Sequence, residues 1–552
     1  MKNHYDVCIL GGGLAGLTLS LQLKQANSEI SILVIERRKG DAPDAAHKVG
    51  ESTVELGTHY IREVLDLKDY LDEHQLPKEG LRFFLTPQHK EDISMRVELG
   101  PKETLPVPSH QLDRGTFENE LANRATKLGV DVLFNSKVTN ADINEEKHTV
   151  TYVSDGAEKN ITSRWVVDAS GRSSFLKRKL GFKKELSHDI NAAWFRVKGE
   201  IDVAEWSDNK EWSSYIKPGL RRLGTVHFMD KGYWVWFIPL ATGNTSIGIV
   251  ADPRHHPFEK FNKYEKAMEW LKENEPLCYK HLDTKRDDVL DFKILKHYSH
   301  HSEKLYSTDR WAVVGESGIF LDPFYSPGTD FIAISNTFVT DLIVRDKNEE
   351  DVFLRTNVFE RAQFSLFNNW IPIYEDKYQL WGLTQTMVLK IYWDWAVYWS
   401  VPTLLFTNNG FTNISVLKEL FSSEQKIGHK FGQLNLQMQQ IFVEWSKHDT
   451  ETFTNKYIDF FDSDILAVFH KGIDERYTPE DLIKKIHDNV SILEKMASEI
   501  FRLMSNKIYD TSEELKVNPY HMSLLKKPTD DTDGNPSESH IKNDVKVMWL
   551  YN

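Results

Sequence analysis

The run "YDVCILGGGLAGLTLSLQLKQ" (5–25) decides the fold. Val7–Leu10 is a short, β-friendly apolar run, three glycines follow it, and Leu17, Leu19, Leu21 and Leu23 then alternate with small and polar residues. "ISILVIERR" (30–38) reads as a second buried strand. Strand, glycine turn, helix, strand implies a parallel sheet. Within the turn, Gly11-x-Gly13-x-x-Gly16 has a physical role for each glycine: Gly11 permits a tight turn, Gly13 lets backbone approach a pyrophosphate, and Gly16 allows close helix–strand packing. Leu14 and Ala15 open the helix, whose N-terminus stabilises the anion. Glu36 ends the second strand, twenty residues after Gly16, where a carboxylate meets ribose hydroxyls. A dinucleotide is the expected ligand.

Composition bounds the rest. The chain has 552 residues, more than one core usually holds, so two or three domains or subdomains are expected. A hydrophobic fraction of 40% and a charged fraction of 27% are ordinary for a soluble globular protein. The net charge of −14, without a dense Lys/Arg block, argues against nucleic acid as a partner. The two cysteines, Cys8 and Cys278, exclude a disulfide framework and suit a reducing cytoplasm. The N-terminus enters a strand directly, so no signal peptide is expected. The most apolar stretch, "MVLKIYWDWAVYWSVPTLLF" (387–406), contains Lys390, Asp394 and Pro402. It reads as a buried helix or pocket wall rather than a transmembrane span.

Further along, residues 110–135 read as a helix ending at Gly129 and then a strand, "HTVTYVSDG" as a hairpin strand, and 163–182 as a buried strand, turn and helix. From 186 to 300 the sequence alternates and predicts an antiparallel sheet interrupted by one helix, "FEKFNKYEKAMEWLKENEPL". The expected organisation is a Rossmann-like α/β domain in two segments (1–185 and 301–345), an antiparallel substrate-side layer (186–300), a helical, aromatic-rich region (346–526) and a mobile tail (527–552), polar over 527–544 and ending in "VKVMWLYN", a segment able to dock back. "HYSHH" (297–301) and "RHHP" (254–257) lack metal-ligand spacing, so no metal is expected.

NAD and FAD share the glycine fingerprint, and three later segments separate them. "HQLDRGTFENEL", "VVDASGRSS" and "WAVVGESGIFLDPFYSPG" resemble the FAD-binding fold of the aromatic hydroxylases, which also contains the flavin-dependent halogenases. The resemblance spans roughly 1–345. It implies that Gln111 touches the diphosphate or ribityl chain, that Asp168 and Gly171 form the second glycine motif, and that Gly315, Glu316 and Asp322 lead under the flavin ring. Glu316 stands where that family commonly has Asp.

"WVWFIP" matches the Trp-x-Trp-x-Ile-Pro motif of flavin-dependent halogenases. The resemblance implies that Trp234, Trp236, Ile238 and Pro239 shield the flavin, so that a flavin hydroperoxide meets chloride or bromide instead of an organic ring. A strand would place both indoles on one face, which is also what a plain core strand does. "GES" (Gly50, Glu51, Ser52) followed by "KEGLRF" resembles the setting of the catalytic lysine in the phenol- and pyrrole-acting halogenases, here Lys78, and implies that Gly50, Glu51 and Ser52 bind the cofactor. In that family hypohalous acid travels to the lysine and is held there beside an electron-rich ring. The turn Ser326-Pro327-Gly328-Thr329 resembles the halide site; Pro327 has no N–H, so Gly328 and Thr329 are the expected donors. Tyr325 stands where the tryptophan-specific enzymes have a glutamate, which points to a phenol or pyrrole, free or tethered to a carrier protein. No second Gly-x-Gly-x-x-Gly follows a strand, so reduced FAD is expected from a separate reductase. An aromatic monooxygenase, or a flavin-binding protein without this chemistry, are the alternatives.

Overall fold

The computed structural model describes residues 2–43, 50–450, 453, 456–510 and 515–550. β1 (His4–Leu10), α1 (Leu14–Ala26) and β2 (Ile32–Ile35) form as expected. The sheet runs in the order Tyr306–Ser307, Trp311–Val313, Ala157–Asp168, β1, β2, Asp131–Leu133, with the His148–Ser154 and Ser136–Asp142 strands paired off the end of Ala157–Asp168. Its central strands are parallel, and their carboxyl ends are level: Leu10 pairs with Ile35 and with Asp168, and Asp168 pairs with Val313. Three motifs far apart in sequence therefore meet on one edge, the edge where open α/β sheets bind ligands.

Gly16 explains how closely α1 lies on β1. A Cβ there would stand 2.0 Å from the Gly11 carbonyl oxygen. Gly11 itself has φ +115°, a conformation that favours glycine.

The second sheet has the order Lys293–Leu295, Asn191–Lys198, Asn244–Ala251, Tyr233–Pro239, Thr225–Asp230, Leu81–Phe84, Glu98–Leu99, Tyr457–Ile458. The alternating strands of 186–300 are its centre, but three further strands come from outside that segment. Leu81–Phe84 joins in parallel with Thr225–Asp230, and Glu98 holds this edge through buried ion pairs to Arg82 (2.7 Å) and Arg221 (3.0 Å). The Tyr233–Pro239 strand divides its side chains by parity. Tyr233, Val235 and Phe237 enter a smaller core, together with Met268 and Leu271 of the helix Tyr264–Asn274. Trp234, Trp236 and Ile238 face the main core. The single helix expected at 258–277 is broken by Pro276, which opens a second helix, Pro276–Asp283.

Residues 328–509 are largely helical. The apolar stretch at 387–406 forms the buried helix Thr384–Tyr398 and the turns after it, with Lys390 and Asp394 paired at 2.6 Å. No helix among the described residues is long and apolar enough to cross a membrane. The tail expected to be mobile is packed in its last part. Ile541, Val545, Met548 and Leu550 are buried, and the Gln385 side chain bonds Met548 O and Leu550 N. Their spacing of four and three residues puts one apolar face on the long helix Pro479–Tyr509, which outweighs the polar composition.

Gly16→Ala must push α1 off β1, because the clashing atom is backbone. It is expected to cost about 1–3 kcal/mol and to lower the thermal unfolding midpoint. An unchanged midpoint would refute the close-packing account.

Candidate active site

The dinucleotide edge is built from the first and third motifs. Glu36 lies at the end of β2, where its Oε2 accepts a hydrogen bond from the Gly12 N–H (2.7 Å) and its Oε1 one from the Arg38 N–H (2.8 Å). Asp168 is completely buried; its carboxylate accepts from the N–H groups of Ser170 (2.9 Å) and Leu176 (2.7 Å). It holds the turn through Gly171 in shape. Gly171 faces the Glu316 carboxylate, which would lie 3.8 Å from a Cβ there. Gly315 has φ +55° and a Cβ on it would press on Ile332 and Ala15. These contacts bring the Gly11–Gly16 turn, Gly171 and Gly315–Glu316 together at one edge.

Gln111 and Ser52 meet on the other side. Gln111 Nε2 donates to Thr225 Oγ1 (2.9 Å), and Ser52 Oγ lies 2.9 Å from the same oxygen. Gln111 Oε1 is buried with no hydrogen-bond partner among the described residues. A buried acceptor left open is costly, and a ligand hydroxyl beside it would satisfy it. The residues present thus fit a ribityl-bearing dinucleotide: open helix N-termini for phosphate, a carboxylate for ribose and an unmet buried acceptor.

A small chamber of about 60 Å³ lies next to this groove. Trp234, Trp236 and Ile238 form one wall and Gly50–Ser52 another, with Glu316, Asp322, Pro327 and Gly328 among the remaining lining residues. The indoles are fixed: Trp234 Nε1 donates to Tyr378 Oη (3.1 Å), Trp236 Nε1 to Ser246 Oγ (3.3 Å), and a Cβ on Gly248 would collide with the Trp236 ring at 2.2 Å. Pro239 closes the strand opposite Thr245. Glu51 is buried and paired with Arg196 at 2.7 Å.

The helix Gly328–Lys347 starts at this chamber, with Pro327 as its first flanking residue and no side chain capping it. The N–H groups of Gly328 and Thr329 belong to the first turn, which has no intrahelical acceptors. A Cβ on Gly328 would meet nothing within 4 Å, so this end is open. An open helix N-terminus attracts an anion.

Behind the same turn lies a far larger cavity of about 740 Å³. Pro327 lines both. Lys78 lies in the large cavity at the end of the short strand Leu76–Lys78, paired with Ser109. Gly80, at φ +73°, turns the chain immediately afterwards. The lysine is only 2% exposed, and its Nζ donates to the Thr53 carbonyl at 2.6 Å. It does not snorkel. Burial pulls its ammonium down to about 7, against the charges of Glu55 and Asp330, which favour protonation.

Those two carboxyls, lining the same cavity, were not singled out from the sequence. Burial pushes Asp330 up to about 8, although Tyr398 Oη (2.9 Å) and the Gly57 N–H (2.8 Å) donate to it. Glu55 is also opposed by burial, but His470, 3.3 Å away, holds it below the usual carboxylate range. Asp330 follows the predicted halide turn directly, and an acid in a helix first turn is a readable signal. His470 is nearly four hundred residues from Lys78, and nothing local marks it. In the aromatic-rich helical region, Trp370, Trp395 and Trp399 line the cavity, whereas Trp393 is core and Trp381 stacks on Phe324. Of the histidine clusters, His297 pairs with Asp189, His300 lies 2.9 Å from Lys177 Nζ and His301 stacks on Phe367.

Comparison with known proteins agrees with this geometry. A family described as FAD binding domain matches residues 4–246. The flavin-dependent halogenase chlA of Dictyostelium discoideum is 27% identical over 431 residues, 72% of this chain and 70% of that protein. The 1H-pyrrole-2-carbonyl-[peptidyl-carrier protein] brominase of Pseudoalteromonas luteoviolacea is 27% identical over 337 residues, 59% of this chain and 74% of that protein. In fold, the chain is similar to the crystal structure of halogenase PltM, with a TM-score of 0.63 at 16% identity over 88% of this chain and 96% of that one. With an FAD edge, a chamber walled by two fixed tryptophans and a buried lysine beyond it, the chain is similar in sequence and in fold to the flavin-dependent halogenases, oxidoreductases that use FAD.

Proposed function

We propose that the enzyme places chloride or bromide on an electron-rich ring, a phenol or pyrrole, by way of hypohalous acid and Lys78. The size of the chamber beside Gly328 carries this reading. At about 60 Å³ it has room for an anion and little more, whereas the cavity holding Lys78 is about 740 Å³. A hydroxylase needs its ring beside the flavin, and the fixed indoles of Trp234 and Trp236 narrow the space there, which supports the halogenase reading.

Reduced FAD, delivered by a separate reductase, supplies with oxygen the two-electron oxidation that turns halide into hypohalous acid. The chain does the rest. Gly11, Gly13, Leu14, Ala15, Gly16, Glu36, Gln111, Gly171, Gly315 and Glu316 would hold the cofactor, with Asp168 and Asp322 shaping its turns. The N–H groups of Gly328 and Thr329 hold the halide. Beyond Pro327, the neutral Lys78 amine attacks the halogen of hypohalous acid. An N–halogen bond forms and the elements of water leave. The ring then takes the halogen, its proton departs, and the amine is restored. A nucleophilic amine must be unprotonated, and burial of Lys78 provides that near neutrality. Two relatives are named for acting on a pyrrolyl group carried by a peptidyl carrier protein. A carrier-bound acceptor is accordingly the second reading.

The test is mass spectrometry of reactions containing FAD, a flavin reductase, NADH, air and bromide, with phenols and pyrroles as acceptors. A bromine isotope doublet is expected, absent in Lys78→Ala while reduced flavin is still reoxidised. Oxygen incorporation that ignores bromide would establish a hydroxylase instead.

The pH profile checks the lysine independently. Halogenation is expected to rise with pH through about 7 as the amine loses its proton. Glu55→Gln removes a charge that favours the ammonium, so the rise shifts to lower pH, by up to about one unit. A shift to higher pH would contradict the assignment.

A further inference from the structure

The large cavity is long as well as large. Leu354, Val358, Ala362, Leu366, Trp370 and Ile373 all line it. Their spacing marks one face of the helix Phe353–Tyr374. From Leu354 to Ile373 this face extends about 28 Å at ~1.5 Å per residue. Burial falls steadily along it. Ile373 and Trp370 are 6% and 8% exposed, Leu366, Ala362 and Val358 are half-buried, and Leu354 is 61% exposed. The buried end is the lysine end, because the Trp370 ring lies 6.4 Å from that of Tyr398, whose hydroxyl bonds Asp330. Leu405, Ile414 and Leu417 face this wall from the other side.

Drawn out over that length, a volume of about 740 Å³ gives a channel wide enough to admit an aliphatic chain. A phenol or pyrrole alone would fill only its inner end. Apolar side chains dominate the remaining walls, with Ser365, Ser422, Ser423 and His429 interspersed, and Asn369, near the buried end, turns its amide onto the Ser365 carbonyl. A pantetheine arm has two amides, which the aliphatic face from Leu354 to Leu366 would leave without partners. The rim matches a lipophilic entrant: Phe353 (63% exposed) and Leu354 stand open there, and the charges at the mouth are of both signs, Arg361 and Lys418 with Glu424.

We propose that the acceptor is a free electron-rich ring bearing an unbranched alkyl or acyl tail, with the ring at Lys78 and the tail lying along the Phe353–Tyr374 helix towards the mouth. This rests on Lys78 being the halogen-delivering residue.

Quenching of tryptophan fluorescence by 4-alkylphenols, from phenol to 4-octylphenol, tests it without flavin or halide, since Trp370, Trp395 and Trp399 line the cavity. Affinity is expected to rise about fourfold per methylene. Leu366→Trp and Ala362→Trp should each cut the chain-length gain of 4-octylphenol, Leu366→Trp the more, and leave phenol itself unchanged, which also shows that the variants fold. Affinity indifferent to chain length, a gain that survives both tryptophans, or tighter binding of a pantetheine-linked phenol would each overturn the proposal. A chain-length gain without any halogenation would instead refute the role of Lys78 and leave the channel standing.

Discussion

Between the two cavities runs the peptide Asp322–Asp330, and its backbone is held in an unfavourable shape. Tyr325 and Ser326 have φ of +68° and +61°, a left-handed conformation that costs non-glycine residues about 1–2 kcal/mol each. Asp322 fixes it from the buried side. Its Oδ1 accepts the Phe324 N–H (2.9 Å), and its Oδ2 accepts from Tyr378 Oη and His188 Nε2, both at 2.8 Å. Tyr374 Oη donates to the Phe324 carbonyl, and Tyr325 Oη to Asp394. The same Tyr378 hydroxyl accepts from Trp234. One carboxylate thus couples the turn to the tryptophan wall. Because the turn is rigid, the helix N-terminus points into the small chamber while the next residue but one, Asp330, points at Lys78.

That separation sets the division of labour. In the proposed scheme, oxidation of a small anion is confined to the small chamber, and substitution takes place in the large cavity, where burial forces a lysine towards neutrality. The lysine is not isolated there. Glu55 and Asp330 oppose its deprotonation without reversing it, since burial is the larger effect. The Phe353–Tyr374 helix then extends the second cavity towards solvent along an apolar wall.

Much of this was legible in the sequence because it is local. The Gly11–Gly16 turn, the indole pair at Trp234 and Trp236, and Lys78 two residues before Gly80 each carry their meaning within a few residues. A two-residue period puts both indoles on one face whatever the rest of the chain does. What was not legible depends on tertiary contact. Leu81–Phe84 joins a sheet whose centre lies more than a hundred residues away, so segment boundaries drawn on the chain could not enclose it. Asp168 and Asp322 read as ligands but serve as buried braces, because a carboxylate in a motif does not reveal which backbone N–H groups will surround it. The apolar end of the tail was legible as a docking segment, but its polar first half concealed where packing begins, although Ile541, Val545 and Met548 carry a helical period.

The central claim is that halide is handled on one side of the Pro327 turn and the ring on the other. Anomalous diffraction from crystals grown with FAD and bromide tests it most directly. The account predicts a bromide peak within hydrogen-bond distance of the Gly328 and Thr329 N–H groups, on the side of Trp234, and none at the Lys78 amine. Bromide seated at Lys78 with the small chamber empty would contradict it.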